Sequence, residues 1–467
     1  MTGAAVLLAV LASLAPASWV PLPQPVPRTE LRVLEGLLDA TLDANRSLRC
    51  PRPVLFGAPR AGPGAGDIAL VVEGGAGLSD CYGFLREFGE VLFRAPDGGG
   101  EQQTGLVNRF TEVCRTLPEA VRRAVSHEDA CSPYVPGCRG VPARQTFLVA
   151  VAGMRNLAGL TVLAGRPGDA AQRFLEVLRF AQDLERGGVP LVLSTLSTSV
   201  FNEVLLNDLV QLVTRPELRA EELQRIAAAL EQLVATEPSF PRVIAADTTW
   251  LAMEAGLPML RGPGWAPPGG FSNGRTLSPR DYAPDLLPWV PVAWEKGLIF
   301  AAFMDLDERR RRACPLRAGP GDCYRGLLAM GTARAAAEST PVWVRWVRIL
   351  VARDPWIALR AFLVDRIEAM VDVPLAQVAV DHASRSFHLA AVRFLVEVQG
   401  ERQRTGRCPT REEFSGARWA RALRDPVFGG VLDARWSGSG TLVVETRGRF
   451  GTQRLRAQLP LPECEGE

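Results

Sequence analysis

The sequence predicts a mainly α protein, built of stacked αα-hairpins (a bundle or short solenoid) with a small C-terminal α+β module. Three observations carry that reading. Apolar residues recur at helical spacing through most of 143–404. Gly/Pro-rich turns cut that pattern into antiparallel neighbours. After Gly406 the periodicity gives way to short β-rich runs.

At the N-terminus, Ala4 to Leu14 is a small and apolar stretch ended by Ala15-Pro16-Ala17. Small residues at Ala15 and Ala17 suit signal peptidase, so 1–17 reads as a signal peptide cleaved after Ala17. The run is shorter than the roughly 20 residues that span a bilayer, and no cysteine follows it to carry a lipid. The section 18–141 opens with a helix from Glu30 to about Leu48, capped by Thr29, with Leu31, Leu34, Leu37, Leu38 and Leu42 on one stripe. Helices near 78–93, 105–116 and 118–127 follow, and a cysteine loop at 131–138 closes the section.

The section 142–405 is the helical-hairpin domain. An apolar helix over 143–163 meets the turn Gly165-Arg166-Pro167-Gly168, and Asp169 caps a helix running to Glu185. Phe174, Leu178, Ala181 and Glu185 descend one side of it. Gly187 to Pro190 breaks the chain before a third helix over 190–213, and Pro216 starts a fourth over 217–234. The segment 163–184 is similar to one tetratricopeptide unit, although the pattern does not return at a fixed period. A helix over 240–257 leads into 258–288, a long Gly/Pro-rich loop of the kind that is often functional. Helices resume at 289–304, 324–337, 342–351, 355–373 and 374–404. In the module 406–467, a short helix covers 411–423 and Asp425-Pro426 turns the chain. Strands at 430–436 and 441–446 flank Ser437-Gly438-Ser439-Gly440, and 449–459 supplies a third.

Nine cysteines agree with export to the periplasm or beyond, because disulfides persist in oxidising compartments. Cys131 with Cys138 and Cys314 with Cys323 flank Pro/Gly-rich loops, and Cys81 and Cys114 fall at the same end of a predicted hairpin. Cys408 and Cys464 bracket the C-terminal module, and Cys50 is the one left over. Zinc is the rival reading, but no Cys-x2-Cys pair occurs, and only His127, His382 and His388 could assist. No cofactor or metal is expected. A formal net charge of +2 gives no reason to expect nucleic acid or an anionic surface as partner. The basic side is almost all arginine, with Lys296 the only lysine.

Candidate chemistry is sparse. Asp247 and Glu254 share a helix face but stand roughly 10 Å apart by helical rise, loose for a glycosidase pair, so a solvated face is expected. His382 and His388 diverge around their helix, and with Asp381, Ser384, Arg385 and Ser386 they read as surface hydrogen-bonding groups. Asp305, Asp307, Glu308 and Arg309 to Arg312 read as a solvated helix end. Trp343, Trp346, Trp356 and Phe362 alternate with Arg345, Arg348 and Arg360. A core helix pair with snorkelling arginines is favoured there over membrane contact. The best contact surface is the aromatic set Trp265, Phe271, Tyr282 and Trp289 on and beside the long loop.

The order long helix, Gly406-Arg407-Cys408-Pro409, short helix, Asp425-Pro426-Val427-Phe428-Gly429-Gly430 and hairpin resembles the soluble part of type II secretion pseudopilins. A tyrosine is common there where this chain has Cys408, and the methylated N-terminal pilin segment has no counterpart. The whole arrangement resembles uncharacterised exported helical-hairpin proteins of GC-rich bacteria, a likeness that implies an architecture and brings no catalytic residues. The expected function is an exported, non-catalytic binding or scaffold protein of the envelope, its partner an envelope protein or glycan. The alternatives are a hydrolase of cell-wall or glycan material and a secretion-apparatus component.

Overall fold

The computed structural model describes residues 54–63, 68, 70–72, 77–94, 101–129, 141–186, 191–251, 375–437, 440–461 and 464, with 302, 305–315, 317–341, 344, 347, 348, 351–353, 361, 362, 364 and 365 between. The expected signal peptide, the helix at 30–48, Cys50, Cys131, Cys138, Glu254, Trp265, Phe271, Tyr282, Trp289, Trp343, Trp346 and Trp356 lie outside them. The fold is mainly helical, with a small three-stranded antiparallel sheet at the C-terminus. Two compact units divide the chain. The described parts of Thr248–Pro315 and Arg325–Ala376 form one, and those of Leu42–Asp247, Leu316–Tyr324 and Gln377–Glu467 form the larger.

In the larger unit, β1 (Arg60–Pro63) pairs in parallel with β2 (His127–Asp129), a contact the sequence pattern did not suggest. Between them lie α1 (Ser79–Arg94), α2 (Glu101–Val113) and α3 (Leu117–Val125). Cys81 and Cys114 are joined in a disulfide with Cα atoms 4.7 Å apart, within the range such a bridge tolerates. Phe84 and Phe110 pack across the same pair of helices.

The hairpin region follows as α4 (Val141–Leu163), α5 (Pro167–Arg186) and α6 (Leu191–Glu203). Asp169 is not the cap of α5: Gly165, at φ 72°, turns the chain and Pro167 opens the helix. Proline suits that place because its missing N–H has no partner in a first turn, which leaves Asp169 near the positive helix end. After α6 the backbone widens into a π segment, Val204–Leu209, before α7 (Val210–Val213). The next helix, α8, starts at Ala220 rather than at 217, where the Glu222 carboxylate accepts from the Arg219 backbone N–H at 2.9 Å and from its guanidinium at 3.3 Å. It ends at Ala235, and α9 (Phe240–Leu251) follows. Of the hairpin helices, α4 is apolar enough over Thr146–Leu163 to cross a membrane by length and composition. Phe147, Ala150, Val151, Met154 and Ala158 nevertheless bury one of its faces in the core.

Helix α10 (Pro320–Ser339) begins in the larger unit and continues from Arg325 in the other, where 305–313 are also helical and a Cβ on Gly326 would strike the Ala313 carbonyl. Cys314 and Cys323 are both disulfide-bonded.

The 31-residue α11 (Leu375–Thr405) runs through the core of the larger unit with Phe387, Ala391, Phe394, Leu395 and Val398 buried. Gly406, at φ 74°, ends it in a left-handed turn that a Cβ would strain. The expected helix over 411–423 is two single turns, α12 (Arg411–Phe414) and α13 (Ala417–Ala420). Thr410 and Glu413 form a capping box on the first, and Gly416 separates the two. Asp425 accepts from the Val427 and Phe428 amides at 2.8 and 3.1 Å, which makes the turn at Pro426. The strands β3 (Asp433–Ser437), β4 (Thr441–Glu445) and β5 (Arg456–Pro460) then pair in order. Ala434, Leu442, Val444, Ala457 and Leu459 form the buried side. Cys408 and Cys464 bond with Cα atoms 5.7 Å apart and staple the module's two ends. Over a separation of 56 residues, the chain-entropy model gives about 4 kcal/mol for that closure.

Phe394 is where α11 backs the module. Its ring meets Phe414 edge-on at 5.1 Å and Trp419 edge-on at 5.5 Å. Phe394→Ala should therefore cost about 3–5 kcal/mol in urea unfolding, whereas Leu163→Ala, at a side chain 83% exposed, should change little.

Candidate functional site

The densest electrostatics lie in the larger unit, where α5, α6, the α8–α9 connection and α11 meet. Arg385 on α11 is 0% exposed and His382 is 5% exposed, so the expectation of surface groups is corrected for these two, while Asp381, Ser384, Ser386 and His388 are half-buried. The reason is the register: Val378, His382 and Arg385 follow one another at helical spacing on the face that α11 turns inward.

A bare guanidinium in apolar surroundings carries a penalty of several kcal/mol unless carboxylates meet it. Arg385 finds two, from segments remote in sequence. Its Nε donates to Glu237 Oε1 at 2.5 Å, and its Nη2 lies 2.5 Å from Glu237 Oε1 and 2.5 Å from Glu185 Oε2. The last of these is an ion pair rather than an aligned hydrogen bond. Nη1 donates to Thr198 Oγ1 at 3.4 Å, and the Phe201 ring supports the guanidinium at 5.2 Å. The Ser194 hydroxyl donates to Glu185 Oε1.

The two acids differ in character. Burial alone would raise the Glu185 carboxyl, but the charge of Arg385, with the Ser194 donor, holds it below the ordinary range. Burial dominates at Glu237 and raises it, against the pull of Arg385. Burial followed by the Arg385 charge pushes His382 down to about 4. Its Nε2 lies 3.2 Å from Arg385 Nη2, and because a guanidinium only donates, that nitrogen accepts and the ring is neutral. The ring packs against Phe240 at 5.3 Å.

Serine, histidine and carboxylate therefore meet here without forming a hydrolytic triad. A nucleophile needs a base whose lone pair faces its proton. The His382 lone pair faces Arg385, the Ser194 proton goes to Glu185, and all four groups are sealed from solvent. The arrangement is a lock between helices.

A second cluster surrounds the π segment. Arg155 on α4 donates to Asp208 through Nε at 2.6 Å and Nη2 at 3.0 Å, and to Glu203 through Nη1 at 2.6 Å. Five residues along an α-helix are offset by about 140°, too far for one guanidinium to serve both acids. The wider i→i+5 turn reduces that offset, so the π geometry and the bidentate pair explain each other. Burial raises Asp208 against the pull of Arg155. Behind it, His388 Nδ1 donates to Asn202 Oδ1 at 3.0 Å, and burial pushes this histidine down to about 4.

Two further expectations are corrected. Asp247 is buried, because it shares the inner face of α9 with Val243 and Ile244, so it is no solvated carboxylate. Arg310 is buried one turn after Leu306, whereas Arg311 and Arg312 pair with Asp307 and Glu308 on the wet side. Phe362 is half-buried. Among the described residues no group of three or more His, Cys, Asp or Glu side chains could hold a metal ion. The bonded cysteines are compatible with an oxidising, exported location. No family model, curated protein or solved structure matches the chain.

The two depressed histidines make acid stability a direct test. A histidine with a folded pKa depressed to about 4 binds its proton in the unfolded chain first, so stability is present above about 6.5 and is lost as pH falls toward 4. Each contributes up to about 1.4 kcal/mol per pH unit in that window. Urea midpoints measured from pH 7 to pH 4 should fall steeply for the native chain, and His382→Asn should flatten the slope. A slope unchanged by that substitution would contradict the assignment.

Proposed function

We propose that this chain is an exported, non-catalytic binding or scaffold protein of the cell envelope, with an envelope protein or glycan as partner. One observation carries the reading: where ionisable groups converge, they neutralise one another. Arg385 is taken up by Glu185 and Glu237, and Arg155 by Asp208 and Glu203. Groups held this way fix helices in register and leave no base, acid or nucleophile facing a substrate. The Cys81–Cys114 and Cys408–Cys464 bridges support the exported part, since cytosolic thiols are kept reduced.

The export part is tested by expressing the full chain in a Gram-negative host. The expected product is periplasmic, begins at Ser18, and resists alkylation at Cys81, Cys114, Cys408 and Cys464 until reductant is added. Cytoplasmic protein with an intact Met1 and free thiols would overturn it. For the non-catalytic part, purified oxidised protein incubated with isolated peptidoglycan sacculi should release no soluble fragments. Release that disappears in a folded Glu185→Gln variant would establish a hydrolase instead.

A further inference from the structure

A net charge of +2 is an average over the whole chain, and the C-terminal module distributes its charge unevenly. Five of the ten arginines in 406–467 are matched. Arg407 pairs with Glu413, Arg418 with Glu401, Arg421 with Glu231, and Arg435 and Arg456 with Glu445. Of the other five, three stand together on the loop joining β4 to β5: Arg447, Arg449 and Arg454 are all exposed, and among the described residues no carboxylate pairs with them.

This loop is built rather than slack. The Thr446 amide donates to the Leu455 carbonyl at 3.0 Å, and the Leu455 amide returns to Thr446 Oγ1 at 3.2 Å. Nearer the tip, Phe450 and Gln453 exchange bonds of 2.9 and 3.0 Å around Gly451, whose φ of 60° suits the tight turn. Phe450 is buried, with Phe428 at 4.9 Å and Tyr324 edge-on at 5.3 Å. A Cβ on Gly448 would run into the Phe428 ring, so that residue faces the module. Arg447 and Arg449 flank it and are both exposed. Arg454 stands between Gln453 and the buried Leu455 on the returning arm.

We propose that this hairpin loop docks the protein onto an anionic phospholipid surface. Three guanidiniums on an anchored loop suit the phosphates of a membrane, which need projecting cations and no cavity. The rings that could serve as a sugar platform, Phe428 and Phe450, pack on each other, with Phe450 also against Tyr324, which argues against a glycan at this place. The envelope reading supplies only the setting in which such a surface is met, because the loop and its test stand apart from export.

The test uses purified, oxidised protein and sedimentation with vesicles. Vesicles of three parts phosphatidylglycerol to seven parts phosphatidylcholine should bind it at low salt, pure phosphatidylcholine should not, and roughly 0.5 M NaCl should release it. Replacing Arg447, Arg449 and Arg454 with Gln should weaken binding about a hundredfold, since surface cations act nearly independently. The control Arg411→Gln with Arg424→Gln removes exposed, unmatched charge elsewhere and should bind as the native chain does. The triple Lys variant keeps the charge and should retain binding, which also covers any folding defect in the Gln variant. Equal binding to neutral vesicles, an unaffected Gln variant, or an equal loss in the control would overturn the proposal. Loop-dependent binding to soluble polyphosphate or to isolated sacculi, with none to anionic vesicles, would overturn it too. None of these results bears on where the mature protein is found, which fractionation decides separately.

Discussion

A guanidinium sealed from water must be met by carboxylates, and that requirement at Arg385 organises the larger unit. Glu185 closes α5, Glu237 lies just before α9, Ser194, Thr198 and Phe201 come from α6, and Arg385 itself comes from α11. These groups lie up to 200 residues apart in sequence, yet Arg385 touches all of them but Ser194, which it reaches through Glu185. Apolar packing alone would let the helices slide or rotate by a turn at little cost, because Leu, Val and Ala surfaces resemble one another. An ion pair in low dielectric does not tolerate such slippage, since one displaced partner leaves the other charge bare. His382 completes the lock by accepting from the same guanidinium, and burial together with that charge keeps its ring neutral.

The same helix links the lock to the C-terminal module. Arg385 sits on its N-terminal half, and two to three turns later Phe394 enters the aromatic cluster of Phe414 and Trp419. Beyond Gly406 the chain is fixed by the Thr410 capping box, by Trp436 donating to the Pro409 carbonyl at 2.8 Å, and by the Cys408–Cys464 bridge. A module of three short strands has little core of its own, so backing by α11 and a covalent staple are what its size demands. Its loop arginines are exposed because the inner positions around them, Gly448, Phe450 and Leu455, are already committed to packing.

Much of this was legible in the sequence because it rests on local chemistry. Periodicity placed α4, α5, α8 and α11, turn residues placed the breaks at Gly165 and Gly406, and alternation placed β3 to β5. The Cys408–Cys464 bridge was readable from its position at the two ends of a small unit. What escaped depends on distance in sequence. Nothing within 381–388 says that Arg385 faces Glu185 and Glu237, so those residues read as surface groups. A trace of the truth was visible, since Glu185 continues the apolar stripe of Phe174, Leu178 and Ala181, where a carboxylate needs a reason. The π segment escaped because its cause, Arg155 spanning Glu203 and Asp208, is likewise tertiary. The parallel β1–β2 pair unites segments more than 60 residues apart and carries no hairpin signal.

The Arg385 pairing locks the helices together. A double-mutant cycle in urea, using Arg385→Met, Glu185→Gln and the two combined, tests it most directly. Arg385→Met alone should cost about 3–5 kcal/mol, because it leaves Glu185 buried and unmatched. The combined variant should recover much of that loss, giving a coupling of at least about 1 kcal/mol. Strictly additive losses, or an Arg385→Met chain within about 0.5 kcal/mol of the native one, would show that the buried charges are incidental to the fold.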